Sequence, residues 1–141
     1  MTGSTALHAG LLLMRLGIGA MFMIFGFPKL TGGPSGWESL GGAMAVVGIG
    51  WAPAFWGFMA AVSEFVGGLA LVLGILVRPF AVLMTITMVV AVAMLKSGGA
   101  PLLQYGHALD MAIVFAGLTV AGGGRFALGA LIKPQAGRWW Q

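Results

Sequence analysis

In the apolar stretches of this chain, a few side chains have types that could do chemistry: Arg15, Glu64 with Ser63 beside it, Gln104, His107 and Asp110. Carboxylates and an imidazole can take and give protons, and an arginine can hold an anion. His107 and Asp110 are three residues apart, so a helix puts them on one face. A charge at the centre of a bilayer costs about 2.5–3.5 kcal/mol on insertion scales, so these groups are expected to face protein and to pair. Counted inward from one side of the runs that carry them, His107 lies about 8 Å deep, Asp110 about 12 Å, Glu64 about 16 Å and Arg15 about 20 Å, at 1.5 Å per helical residue.

Neighbouring depths predict one polar cluster. One arginine cannot neutralise two buried carboxylates, so a carboxyl holds a proton, or His107 is a cation, or water enters. Glu64, Asp110 and His107 are the candidates for proton handling. Arg15, Glu64, Gln104, His107 and Asp110 are the candidates for ligand binding. Three readings stay open. Arg15–Glu64 is a buried pair that fixes helix register; the cluster is a pocket for a quinone headgroup or another lipophilic redox molecule; or it is part of a proton or small-solute path.

The elements that must position these residues follow from hydropathy. The chain has 141 residues, 60% of them hydrophobic and 7% charged, with a mean hydropathy of +1.03. That leaves too little polar surface for a water-soluble domain, so lipid is the expected surroundings. Spanning a bilayer core takes roughly 20 apolar residues. Four runs qualify, at about 6–27, where Pro28-Lys29 is expected to stop the helix, and at about 53–77, 79–95 and 102–121. The expected fold is all-α, a four-helix transmembrane bundle formed as a single domain over residues 1–141. Residues 1–10 have no basic n-region, so the first run is expected to stay as a helix and not to be cleaved as a signal.

The long connection at 30–52 starts with the turn-rich Thr31-Gly-Gly-Pro-Ser-Gly36. Trp37, Leu40, Met44, Val47 and Trp51 then recur near helical spacing, which predicts a short interfacial helix lying over the bundle in the first outer loop. Glycines in the spans, Gly17, Gly19, Gly67, Gly68 and Gly74, suit close helix packing. Arg78 and the tail cations Arg125, Lys133 and Arg138 share one side, against Lys29 and Lys96 on the other. The positive-inside rule then puts both termini in the cytoplasm.

Other chemistries find no support. The cations do not cluster, so nucleic acid is not an expected partner. There is no cysteine, which removes thiolate catalysis and cysteine metal sites. Two histidines, His8 and His107, do not make paired axial haem ligands, and no metal or flavin site is legible. The ten methionines are scattered and read as packing.

Three segments then add up to a resemblance: Arg15-Leu-Gly-Ile-Gly with Phe25-Gly-Phe-Pro-Lys29-Leu, Glu64-Phe-Val-Gly-Gly-Leu-Ala-Leu-Val-Leu-Gly74 leading to Arg78, and Gly122-Gly-Gly-Arg125-Phe-Ala-Leu. In that order the chain resembles the DoxX family of small bacterial four-helix membrane proteins. It departs at the last segment, where Gly123, Ala127 and Gly129 stand for the family's frequent proline, serine and aspartate. The resemblance implies a bacterial inner-membrane subunit. Some members look like membrane subunits of a thiosulfate:quinone oxidoreductase, others like partners in thiol- and oxidative-stress complexes. It carries Arg15, Glu64 and Arg125 over as recurring charged positions. It also implies a quinone near Glu64, with electrons arriving from a soluble substrate or a partner subunit. A non-catalytic accessory or scaffold role in a larger complex, homo-oligomerisation through glycine-rich faces, and a small proton-coupled transporter are the competing expectations.

Overall fold

The computed structural model describes residues 3–132. The tail residues Lys133, Arg138, Trp139 and Trp140 therefore lie outside the described residues. Within 3–132 all the regular structure is helical, with α1 (Gly3–Thr31), α2 (Gly33–Gly41), a 3-10 helix (Gly42–Val47), α3 (Pro53–Leu73), α4 (Val77–Ser97), α5 (Leu102–Ala121) and α6 (Leu128–Ile132). The helices α1, α3 and α4 are each long and apolar enough to cross a membrane. The expected run at 102–121 is also helical, as α5, but Gln104, His107 and Asp110 keep it outside that group.

Local signals explain most boundaries. Pro53 opens α3 in its first turn, where a missing N–H costs nothing. Gly74 closes it in the left-handed region (φ 72°). There the Gly74 N–H donates to Leu71 O at 3.2 Å and the Ile75 N–H to Ala70 O at 3.0 Å. This is a Schellman termination, and it ends the helix four residues short of Arg78. The expected span to residue 77 therefore yields to a turn at 74–76, and Val77 starts α4 with Arg78 in its first turn. The same motif at Gly99 (φ 78°) ends α4.

Two expectations about the first connection change. Pro28 does not stop α1, which carries it internally and continues to Thr31. The proline forfeits one hydrogen bond near the helix end, where few donors remain to be satisfied. The glycine-rich stretch at 31–36 breaks the helix only at Gly32–Gly33, where Gly33 has φ 70°, and Pro34 then lies in the first turn of α2. The expected short helix is present, but it divides into α2 and the 3-10 segment and leaves Trp51 outside. It packs on α3 and α4. The Trp37 indole N–H donates to Lys29 O at 3.1 Å, and its ring meets Phe58 edge-on at 4.9 Å.

Successive long helices run antiparallel. The main contacts are α1 on α3 and α4 on α5, with α3 against α4 joining the two pairs. Small residues allow the α1–α3 approach. A Cβ on Gly19 would stand 2.7 Å from Gly68 O, and one on Gly26 would stand 2.6 Å from Phe65 N. Between the two pairs Phe22 and Phe115 meet edge-on at 4.9 Å, inside a core that includes Leu71, Val77, Met84 and Leu118. This plug closes the middle of the bundle. Toward α2 the pairs part.

Candidate functional site

The buried face of α1 is Arg15, Gly19, Phe22 and Gly26. Those residues step by four, three and four, and three more residues reach Lys29. Because α1 continues through Pro28, Lys29 stays on that face and points at α3. Its Nζ lies 2.8 Å from Glu64 Oε1 and 2.6 Å from Oε2. The Glu64 side chain is 3% exposed and that of Lys29 39%, so a buried carboxylate is neutralised by a cation at the rim.

Glu64 lines a cavity of about 740 Å³ between the two helix pairs at the α2 end. Most of its wall is apolar, including Phe25, Trp56, Met59, Met88 and Met94. The polar lining is Lys29, Glu64, Ser63, Thr87, Gln104 and His107. Ser63 Oγ donates to Ala60 O at 2.9 Å, Thr87 Oγ1 donates to Leu83 O at 3.0 Å, and the two hydroxyls lie 2.8 Å apart. Two hydroxyl protons thus serve three contacts, so one contact at a time goes without. The wall therefore offers a cation, a carboxylate and an adjustable hydroxyl pair around an apolar volume.

The expected single cluster does not form. Glu64, Gln104 and His107 share the cavity, but Arg15 and Asp110 are not part of it. Arg15 faces α3 seven residues further along, about 10 Å of helix, where the antiparallel register sets it against Leu71 and not Glu64. Its guanidinium is fully buried and donates to Leu71 O at 3.1 Å and Phe126 O at 3.2 Å. It ties the C-terminus of α3 to the 122–127 loop, where carbonyl dipoles favour a cation. Arg15 Nε has no hydrogen-bond partner among the described residues. The register-pair reading thus keeps its chemistry but changes its partners, with Lys29 replacing Arg15 beside Glu64.

Asp110 lies on the outward face of α5, exposed, as is His107 at the cavity's edge. The charge count that called for a carboxyl proton, a cationic His107 or entering water therefore lapses, since Glu64 has its own cation and Asp110 is not buried. Arg125, in the loop after α5, donates its backbone N–H to His8 Nδ1 at 3.4 Å. Its guanidinium stands 5.7 Å from the Phe126 ring centre.

Lys29 is the site residue that sequence reasoning missed. Treating Pro28-Lys29 as a stop removed it from the helix. Extending the spacing of Arg15, Gly19, Phe22 and Gly26 by one step would have found it.

No curated protein and no solved structure matches the chain. A family model, DoxX, matches residues 10–97. That stretch contains Arg15, Lys29, Ser63, Glu64 and Thr87 and leaves out α5 with Gln104, His107 and Asp110. Since the match covers most of the chain, this membrane protein belongs to the DoxX family.

Proposed function

We propose that this chain is a four-span subunit of a bacterial plasma membrane that binds a quinone, or a similar ring carbonyl compound with an apolar tail, in the cavity beside Glu64. The observation that carries the reading is the Lys29–Glu64 pair in the wall of an apolar cavity of about 740 Å³, a volume within the usual range for small-molecule sites. A purely structural ion pair would need no such volume next to it.

The residues present fit the ligand. An ammonium group has three protons; two are directed at Glu64, so Lys29 keeps one for a carbonyl oxygen. The Glu64 oxygens retain lone pairs that can accept a hydroxyl proton. The hydroxyl pair Ser63–Thr87 can turn one proton toward the cavity. His107, exposed at the edge, is placed to pass protons between the cavity and the surface. A bound quinone supplies two-electron redox chemistry, and the electrons come from a soluble donor or a partner subunit.

The fourth span is α5. Its 20 residues cover about 30 Å, enough for the bilayer core. Gln104 and His107 line the cavity, so lipid need not solvate them. The cation Arg78, on the side of the termini, supports cytoplasmic N- and C-termini.

The test is titration of the protein in lipid nanodiscs with a short-chain ubiquinone analogue, read by quenching of tryptophan fluorescence, since Trp56 lines the cavity. Saturable quenching is expected, weakened roughly tenfold or more in Lys29→Met by loss of a charge-assisted hydrogen bond. It is expected to be absent in Ala60→Phe, which fills the cavity while leaving both charged groups in the chain. Quenching that never saturates, or that is unchanged in Ala60→Phe, would remove the quinone site. Reproducible capture of a protein partner without any small ligand would favour the accessory-subunit reading.

A further inference from the structure

The cavity beside Glu64 is not enclosed equally on all sides. α5 packs on α4, and its main contacts among the described residues do not include α1, α2 or the 3-10 segment. The edge-on pair Phe22–Phe115, at 4.9 Å, brings α1 and α5 together at the cavity's floor. From there toward α2 the two helices part. Phe25 and Pro28 stand on the α1 side of the gap, Gln104 and His107 on the α5 side. All four line the cavity and all four are exposed, so the cavity reaches the outside of the bundle between α1 and α5.

The remaining sides are covered. Leu40, Gly41, Ala43 and Met44 roof the cavity, and the roof packs on α1, α3 and α4. α1 meets α3 backbone to backbone where Gly26 lies against Phe65. Between α3 and α4, Phe55 and Ile86 also line the cavity and are exposed. There, however, the Ser63 and Thr87 hydroxyls lie 2.8 Å apart beside Glu64, and the 3-10 segment bridges the two helices. A molecule in that outer groove is kept from the ion pair by the hydroxyl contact.

The geometry points to a lateral entrance: the ligand passes sideways from lipid between α1 and α5, and its tail rests in that gap while its head reaches Lys29 and Glu64. This rests on the cavity being a site for a tailed ring carbonyl compound and on α5 crossing the bilayer. It narrows the substrate class to compounds already dissolved in the membrane. Each methylene carried through water costs transfer free energy, and an entrance below the roof keeps the tail in lipid throughout. The two sides of the gap suit such a molecule. Gln104 and His107 lie about 3 and 8 Å along the axis from Leu102, at the shallow level where polar heads of lipids sit. Phe25 and the floor ring Phe22 give the tail an apolar surface. Lys29, half-buried at the rim, is met before Glu64, which is 3% exposed.

The test uses the full, unaltered chain in native membranes and a ubiquinone analogue with a photoreactive diazirine halfway along a decyl tail. After illumination the attachment sites are mapped by mass spectrometry, with and without an excess of the unreactive decyl analogue. Attachment that the excess suppresses is expected around Phe25 on α1 and around Gln104 and His107 on α5. Suppressible attachment confined to the roof at 40–47, or to the α3–α4 groove around Phe55 and Ile86, would overturn the lateral entrance and leave the quinone site standing. Attachment that the excess does not suppress, or none, would overturn the entrance and the quinone site together. The same ring without a tail is the second competitor. It should suppress attachment roughly tenfold or more less effectively, because it lacks the apolar area of the tail. Equal potency would overturn the restriction to membrane-dissolved ligands.

Discussion

The two ends of the bundle each bury a charge, but they treat it differently. At the α6 end Arg15 is locked among fixed backbone carbonyls, with the left-handed Gly74 against it, where a side chain would strike the guanidinium. The cavity beside Glu64 does not reach it, and its partners are Leu71 O and Phe126 O. At the α2 end Glu64 is held by a flexible lysine at the rim, beside hydroxyls with alternative contacts and a large cavity. Arg15 is a clasp between α3 and the loop after α5. The Lys29–Glu64 pair has the adjoining space and the exchangeable protons that ligand chemistry requires. Burial of a charge therefore does not by itself mark a functional site. What lies next to it does.

The largest expected effect would sharpen this contrast. Arg15→Leu removes both clasp bonds and leaves two buried carbonyls unpaired, which should lower stability by roughly 3 kcal/mol while the cavity keeps its ligand. Thermal unfolding in detergent, together with ligand titration, checks this. Ligand loss with unchanged stability would reverse the roles assigned to the two ends.

At the other end, Lys29→Met should cost about 2 kcal/mol by leaving Glu64 without its cation. Combining it with Glu64→Gln should restore much of that loss, because the unpaired charge is gone. A double-mutant cycle of unfolding free energies gives the coupling directly. Additive costs would mean that the pair is not the contact described. Binding should be lost in the double variant even where stability returns.

A third effect is smaller. Gly74→Ala puts a side chain on a left-handed residue pressed against Arg15, at a cost of about 1–2 kcal/mol. The same substitution at Gly17, in the same register of size but with nothing within 4 Å, should be neutral or slightly stabilising in a helix. The smallest is Ser63→Ala, which relieves the competition for hydroxyl protons and should change stability by about 0.5 kcal/mol or less. If the hydroxyl pair contacts the ligand, its signature is a modest drop in affinity at constant melting temperature.

Much of the fold was legible in the sequence because it depends on residue type and local period. Apolar runs of spanning length, glycines where helices touch, and Pro53 at a helix start have effects that act within a few residues or through bulk transfer to lipid. Glu64, Gln104 and His107 were recognisable as site candidates because a polar group in an apolar run is expensive wherever it points. Even the termination at Gly74 was present as a glycine followed by a cation, although packing was the reading it suggested.

What only the tertiary structure decided was partnership. Which residue of α1 meets Glu64 depends on the register of two antiparallel helices, and a shift of two turns exchanges Lys29 for Arg15. That register is set by the close approaches of Gly19 to Gly68 and Gly26 to Phe65, which are contacts between segments some forty to fifty residues apart along the chain. Whether Asp110 faces the cavity or the outside is a rotation of α5 about its own axis, fixed by Ala108, Ala112, Phe115 and Leu118 packing into the core. The sequence by itself determined which residues are costly to bury. Helix register and rotation, set by long-range van der Waals contact, decided which of them became neighbours.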